Sequence, residues 1–149
     1  MNHDDIHSAW LFLITGSEHL SEGANVHRHQ DACRSLLLAN IMHTEAAIML
    51  NSNHILAIAV PWSTINQQAV VSLCFILNQS AYLYLGTNQG GSDTKSTWTS
   101  PEGVTNKFLG SYEMSTTRPE GDFIYMRETY ISFTKGDLSP RIIDEASHQ

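Results

Sequence analysis

Apolar positions fall in short blocks along this chain, and their spacing predicts helices early, strands late and a mixed middle. Residues 4–17 put Ile6, Ala9, Trp10, Leu13 and Ile14 on one stripe behind Asp4 or Asp5 as a cap, which predicts a helix ended by Gly16. Residues 25–42 repeat Val26, Cys33, Leu36, Leu37 and Ile41 at helical spacing with Arg28, Asp31, Arg34 and Ser35 opposite, which predicts a second helix. The runs 46–50 and 54–60 flank Asn51-Ser52-Asn53, a hairpin signal because Asn tolerates the positive φ of a tight turn. Pro61 stops the second run. Over 64–77, Ile65, Ala69, Leu73 and Ile76 keep helical intervals, and Thr64 with Gln67 fits a capping box. Val70, Val71, Cys74 and Phe75 argue instead for a strand, so both readings stand and the helix is preferred.

The last third reads as β structure. Ser100-Pro101-Glu102-Gly103 and Arg118-Pro119-Glu120-Gly121 are two copies of one turn, with Pro presetting φ and Gly free to go left-handed. They predict an antiparallel meander of three strands at 94–99, 104–117 and 122–134. With two residues in the second loop, Met114 faces Tyr125 and Phe108 faces Ile131; a three-residue loop with a bulge at Gly121 shifts that register by one. Residues 87–93, with Gly90-Gly91, read as a flexible connection. Arg127-Glu128 interrupts the last strand as a solvated pair, a bulge or an inward polar feature. The whole predicts one α+β domain over 1–149, with N-terminal helices packed on an antiparallel β-sheet, a C-terminal three-stranded meander and a weakly ordered tail at 136–149.

Charge sharpens this picture. From Ala46 to Ser92 there is no Asp, Glu, Lys or Arg, which marks either the core or a surface that a partner covers. The chain carries a net charge of −7 with only eight scattered Lys and Arg, which argues against unaided nucleic-acid binding. No apolar run reaches the length of a membrane span, and Ala9–Ile14 lacks the basic flank of a signal peptide. Cys33 and Cys74 lie far apart in sequence and read as reduced thiols in a cytoplasmic protein.

Candidate chemistry is sparse. His27-Arg28-His29-Gln30-Asp31-Ala32-Cys33 resembles the His-x-His-x-Asp-His motif of metallo-β-lactamase-type hydrolases, with Ala32 at the position of the last His and Cys33 directly after it. On a helix His27 and His29 point about 200° apart and cannot share an ion; His29 with Cys33, or His27 with Asp31, can share a face. Three or four ligands are normally needed, and His43 and Glu45 are the nearest extras. The expectation is therefore no metal and no cofactor, with His29 and Cys33 the metal candidates and both bordering a buried stripe. Catalytic residues are left unassigned, because no pair takes acid and base roles. The order helix, hairpin, helix across 31–77 is similar to small acidic type III secretion chaperones, although here the strands follow those elements instead of preceding them.

Two functions remain. The first is a non-catalytic interaction module of adaptor, chaperone or inhibitor type, binding another protein or itself as a homodimer through its neutral surface, with Trp62, Tyr82, Leu83 and Tyr84 as interface residues. The alternative is a small-molecule-binding enzyme, or a metal-dependent hydrolase using His27, His29 and Cys33.

Overall fold

The computed structural model describes residues 9–17, 19–87, 94–134 and 138. Its elements run β1 (Ala9–Ile14), α1 (Glu22–Leu38), β2 (Thr44–Leu50), β3 (Asn53–Pro61), α2 (Thr64–Leu77), β4 (Tyr82–Thr87), β5 (Thr94–Thr99), β6 (Asn106–Gly110), β7 (Tyr112–Ser115), β8 (Phe123–Met126) and β9 (Thr129–Phe133). The first six elements form a split βαβ unit, with strands ordered β4-β1-β3-β2 and every neighbour antiparallel. The remaining strands extend that sheet on both sides, giving the order β6-β5-β4-β1-β3-β2-β8-β9-β7.

The two outermost strands, β6 and β7, are consecutive in the chain with only Ser111 between them. Gly110 sits at φ +83°, in the left-handed region that glycine enters freely, and bends the chain from one sheet edge to the other. A register shift between Ser96 and Thr97 lies at the same place, and the Ser96 hydroxyl donates to the Gly110 carbonyl at 2.8 Å. The sheet is thereby curled almost into a barrel, an arrangement that leaves few exposed edges.

Alternation along the strands then makes two cores. Inward positions such as Phe12, Ile48, Leu83, Trp98 and Ile131 fill the barrel, and the small Ala46, Ala57 and Ala59 let opposite walls approach. Outward positions Leu11, Leu13, Ile58 and Val60 meet Ala32 and Leu36 of α1 and Val70, Leu73 and Leu77 of α2. The helices are capped by side chains: Ser21 accepts from the Ala24 amide and Ser63 from the Asn66 amide. At the end of α2, Asn78 takes φ +57°, and the Gln79 amide reaches back to the Cys74 carbonyl at 2.8 Å. Arg28 joins the layers, donating through Nε to the Thr15 carbonyl and through Nη2 to that of Leu77.

Several expectations hold. The β2–β3 hairpin turns at Asn51 and Ser52, both at positive φ, and α2 is a helix. Its N-cap is Ser63, one residue before the box expected at Thr64.

Three expectations are corrected. Residues 9–14 form a strand, not part of a helix, because β1 is buried on both faces and so shows no polar alternation; residues 1–8 lie outside the described residues. The three-stranded meander is replaced by a different pairing. The first turn does join the neighbours β5 and β6, but the second connects β7 to β8, which are separated by β9. Met114 pairs with Ile131 and Phe108 with Thr97, while Tyr125 pairs with Tyr130. Arg127 and Glu128, both at positive φ, form the two-residue turn of the β8–β9 hairpin, and the Arg127 guanidinium carbon lies 5.5 Å from the centre of the Trp10 ring. Finally, Leu138, expected in the loose tail, is buried in the barrel core. The rest of that tail, and residues 88–93, lie outside the described residues.

Candidate functional site

Beside α2, the outward faces of β4, β5 and β6 build a groove, with Tyr82 of β4 packed into the cluster that holds the helix. Antiparallel register aligns Tyr82 with Thr99 and Asn106 in one rung, and Tyr84 with Thr97 and Phe108 in the next. One wall comes from the β3–α2 junction, where Trp62 follows Pro61 and Gln67 sits in the first turns of the helix. The Gln67 side-chain amide donates to the Tyr82 hydroxyl at 2.9 Å, which locks both residues. The Trp62 amide donates to the Ala9 carbonyl at 2.9 Å, which anchors the wall to β1. The resulting cavity is about 510 Å³ and none of its eight lining residues is charged.

Two of its aromatic side chains are presented to solvent: Trp62 is 47% exposed and Phe108 54%. Tyr82 is buried beneath them. Tyr84 lies along its own strand over Gly86, where a Cβ would come within 2.7 Å of ring carbons Cε2 and Cζ and would also meet the hydroxyl. Glycine at 86 therefore sets the position of the Tyr84 ring. No hydrogen bond among the described residues engages the side chains of Thr97, Thr99 or Asn106. Burial raises the Tyr112 phenol above its ordinary value, with neighbouring Tyr84 a smaller cause.

Three of the four interface residues expected from sequence, Trp62, Tyr82 and Tyr84, thus meet in one place. Leu83 does not: it points into the barrel, fully buried, because it alternates with its neighbours along β4, so its side chain cannot meet a partner. Phe108, expected opposite Ile131, pairs with Thr97 instead. The bend at Gly110 shifts the alternation, so that Leu109 and Tyr112 point inward and Phe108 outward. The spacing of Thr97 with Thr99, and of Asn106 with Phe108, was the sequence signal for these faces; their adjacency was not legible without the register.

A second exposed feature is the outer face of α2. Ile65 is 72% exposed, Phe75 58% and Ile76 73%, on a helix that carries no charged residue.

The histidine cluster takes a different form. His29 is buried, its Nδ1 2.8 Å from the Thr15 hydroxyl and its Nε2 3.2 Å from an exposed Glu45 carboxylate. A hydroxyl, an imidazole and a carboxylate stand in line, yet the hydroxyl end is the enclosed one: Thr15 has no exposed surface to offer a substrate. His27 pairs with Asp31 on the exposed side at 3.3 Å, and His43 bonds the Ile41 carbonyl. Burial pushes the Cys33 thiol up and Glu45 adds to this, so at neutral pH it is neither a ready nucleophile nor a ready ligand. The geometry brings His29 towards Glu45 but separates His27 from both. Among the described residues, no three His, Cys, Asp or Glu side chains are grouped to hold a metal ion.

A split βαβ core enlarged into a nearly closed antiparallel barrel, with a neutral aromatic groove on one flank, is the class of protein these features define. No protein-family model and no curated protein matches the chain.

Proposed function

We propose that this is a non-catalytic interaction module that pairs with a second copy of itself through the charge-free outer face of α2. The observation that carries this is the exposure of Ile65, Phe75 and Ile76 along a helix without a single charged residue. A helix facing water normally carries charge on its outer side, whereas here Ile65 at one end and the adjacent Phe75 and Ile76 three turns on are linked only by neutral residues, and exposed apolar side chains of this size mark contact surfaces. The choice of partner follows from charge. Two chains of net charge −7 repel each other, and that repulsion is weakest across the face that bears no carboxylate. A two-fold interface also covers the same patch on both subunits.

Adaptor, chaperone or inhibitor roles for such a dimer share this surface. The scattered cations favour a protein partner over a nucleic acid. Among the described residues no helix is long and apolar enough to cross a membrane. Two thiols without a disulfide agree with a cytoplasmic setting.

Light scattering over a wide dilution series tests the reading. The expected result is a dimer at high concentration that dissociates on dilution, and that Ile76→Glu, alone or with Ile65→Glu, converts to monomer. Both positions are exposed, so circular dichroism should remain unchanged. A monomer at every concentration, or a dimer indifferent to both substitutions, refutes it.

A further inference from the structure

We propose that the groove between α2 and strands β4, β5 and β6 binds a neutral saccharide, with one sugar ring stacked on Trp62 and Phe108 and its hydroxyls bonded by Thr97, Thr99 and Asn106. A pyranose has an apolar face of C–H bonds and a polar rim of hydroxyls, and the lining has the same division. Trp62 and Phe108 offer solvent-exposed aromatic surface, while the floor between them offers hydroxyl and amide groups. The side chains of Thr97, Thr99 and Asn106 have no hydrogen-bond partner among the described residues, so a ligand would not have to displace one. Tyr82 already accepts from Gln67, which leaves its phenolic proton to donate.

Charge and shape exclude the nearest competitors. A nucleotide or sugar phosphate brings negative charge, and no lining residue is cationic. A quaternary ammonium ion needs several ring faces around it, whereas here only Trp62 and Phe108 are well exposed and Tyr82 is buried. The cavity, about 510 Å³, lies within the usual span of small-ligand sites. Its position is also held firmly, since six of the eight lining residues are placed by strand register and Gln67 is tied to Tyr82. Ile65, Phe75 and Ile76 do not line it, so this site is independent of the surface proposed for pairing.

Saturation-transfer NMR with a panel of maltose, cellobiose, lactose and chitobiose tests the assignment, with choline and adenosine as competitors. The expected result is transfer to the ring C–H protons of at least one sugar, together with a change in tryptophan fluorescence. Affinity should fall about tenfold or more in Trp62→Ala and in Phe108→Ala, the scale of a lost central contact. Thr97→Val, which keeps shape and removes the hydroxyl, should weaken binding without changing circular dichroism. Ile76→Glu should leave sugar binding intact even as it disperses the dimer, which separates failure of this site from failure of the pairing surface. No transfer from any sugar at tens of millimolar overturns the proposal. So does transfer unaffected by both aromatic substitutions, or preferential binding of choline or adenosine.

Discussion

Thr15 and His29 form a buried polar joint whose worth can be measured. Thr15 has no exposed surface and His29 is 7% exposed, and the hydroxyl and Nδ1 are 2.8 Å apart. With the ring proton on Nε2, that nitrogen donates towards Glu45 and Nδ1 accepts from the hydroxyl. Thr15→Val keeps the volume but leaves Nδ1 with no donor in a site closed to water, which costs about 1–3 kcal/mol. His29→Ala orphans the hydroxyl and also opens a cavity beneath α1, so about 2–4 kcal/mol is expected. In the double variant neither orphan exists, and its loss should fall short of the sum of the two single losses by about 1–2 kcal/mol. Urea unfolding followed by circular dichroism reads all four corners of the cycle. Glu45→Gln provides the contrast: its carboxylate is exposed, so its loss should cost less than about 1 kcal/mol and be sensitive to salt. Strict additivity of the two buried substitutions, or a cost for Thr15→Val below about 0.5 kcal/mol, would refute the claim that this bond joins the β1 end to α1.

Three further outcomes are expected. Burial, with a smaller contribution from Glu102, pushes the Cys74 thiol up to about 12, so alkylation at mildly alkaline pH should require unfolding while denatured protein reacts promptly. The folded chain holds that proton more tightly than the unfolded one, whose thiol titrates near its ordinary value of 9.0; stability present below that pH should therefore fall as pH rises towards about 12. Substituting Cys74→Ala should flatten this decline, and an unchanged slope would count against it. Gly121 sits at φ +81° with open space where a Cβ would stand, so Gly121→Val should cost about 1–3 kcal/mol through backbone strain alone, read as a lower urea midpoint. A neutral substitution there would show that the turn relaxes.

The parts of this protein legible in its sequence were those governed by neighbours along the chain. Asn51-Ser52 sets a tight hairpin because of the φ values those residues tolerate, Ser63 and Asn78 bound α2 through local hydrogen bonds, and Pro101 with Gly103 sets the β5–β6 turn. The charge-free middle was also legible as core, since charge is expensive to bury, and it supplies much of both buried clusters.

Other features waited on the tertiary structure. Residues 9–14 looked like a helical stripe because a strand buried on both faces loses the alternation that identifies it. The second Pro-Glu-Gly turn resembles the first in sequence, but its strands do not pair, since β9 inserts between them as the sheet closes. Trp62, Tyr82 and Tyr84 could be grouped from sequence, and they do line one groove. Leu83 could be excluded from it, and Thr97, Thr99, Asn106 and Phe108 added, only once the register was known. Side-chain alternation is a local property of a strand, whereas the choice of facing strand is made by long-range closure, and the groove is built across three strands at once.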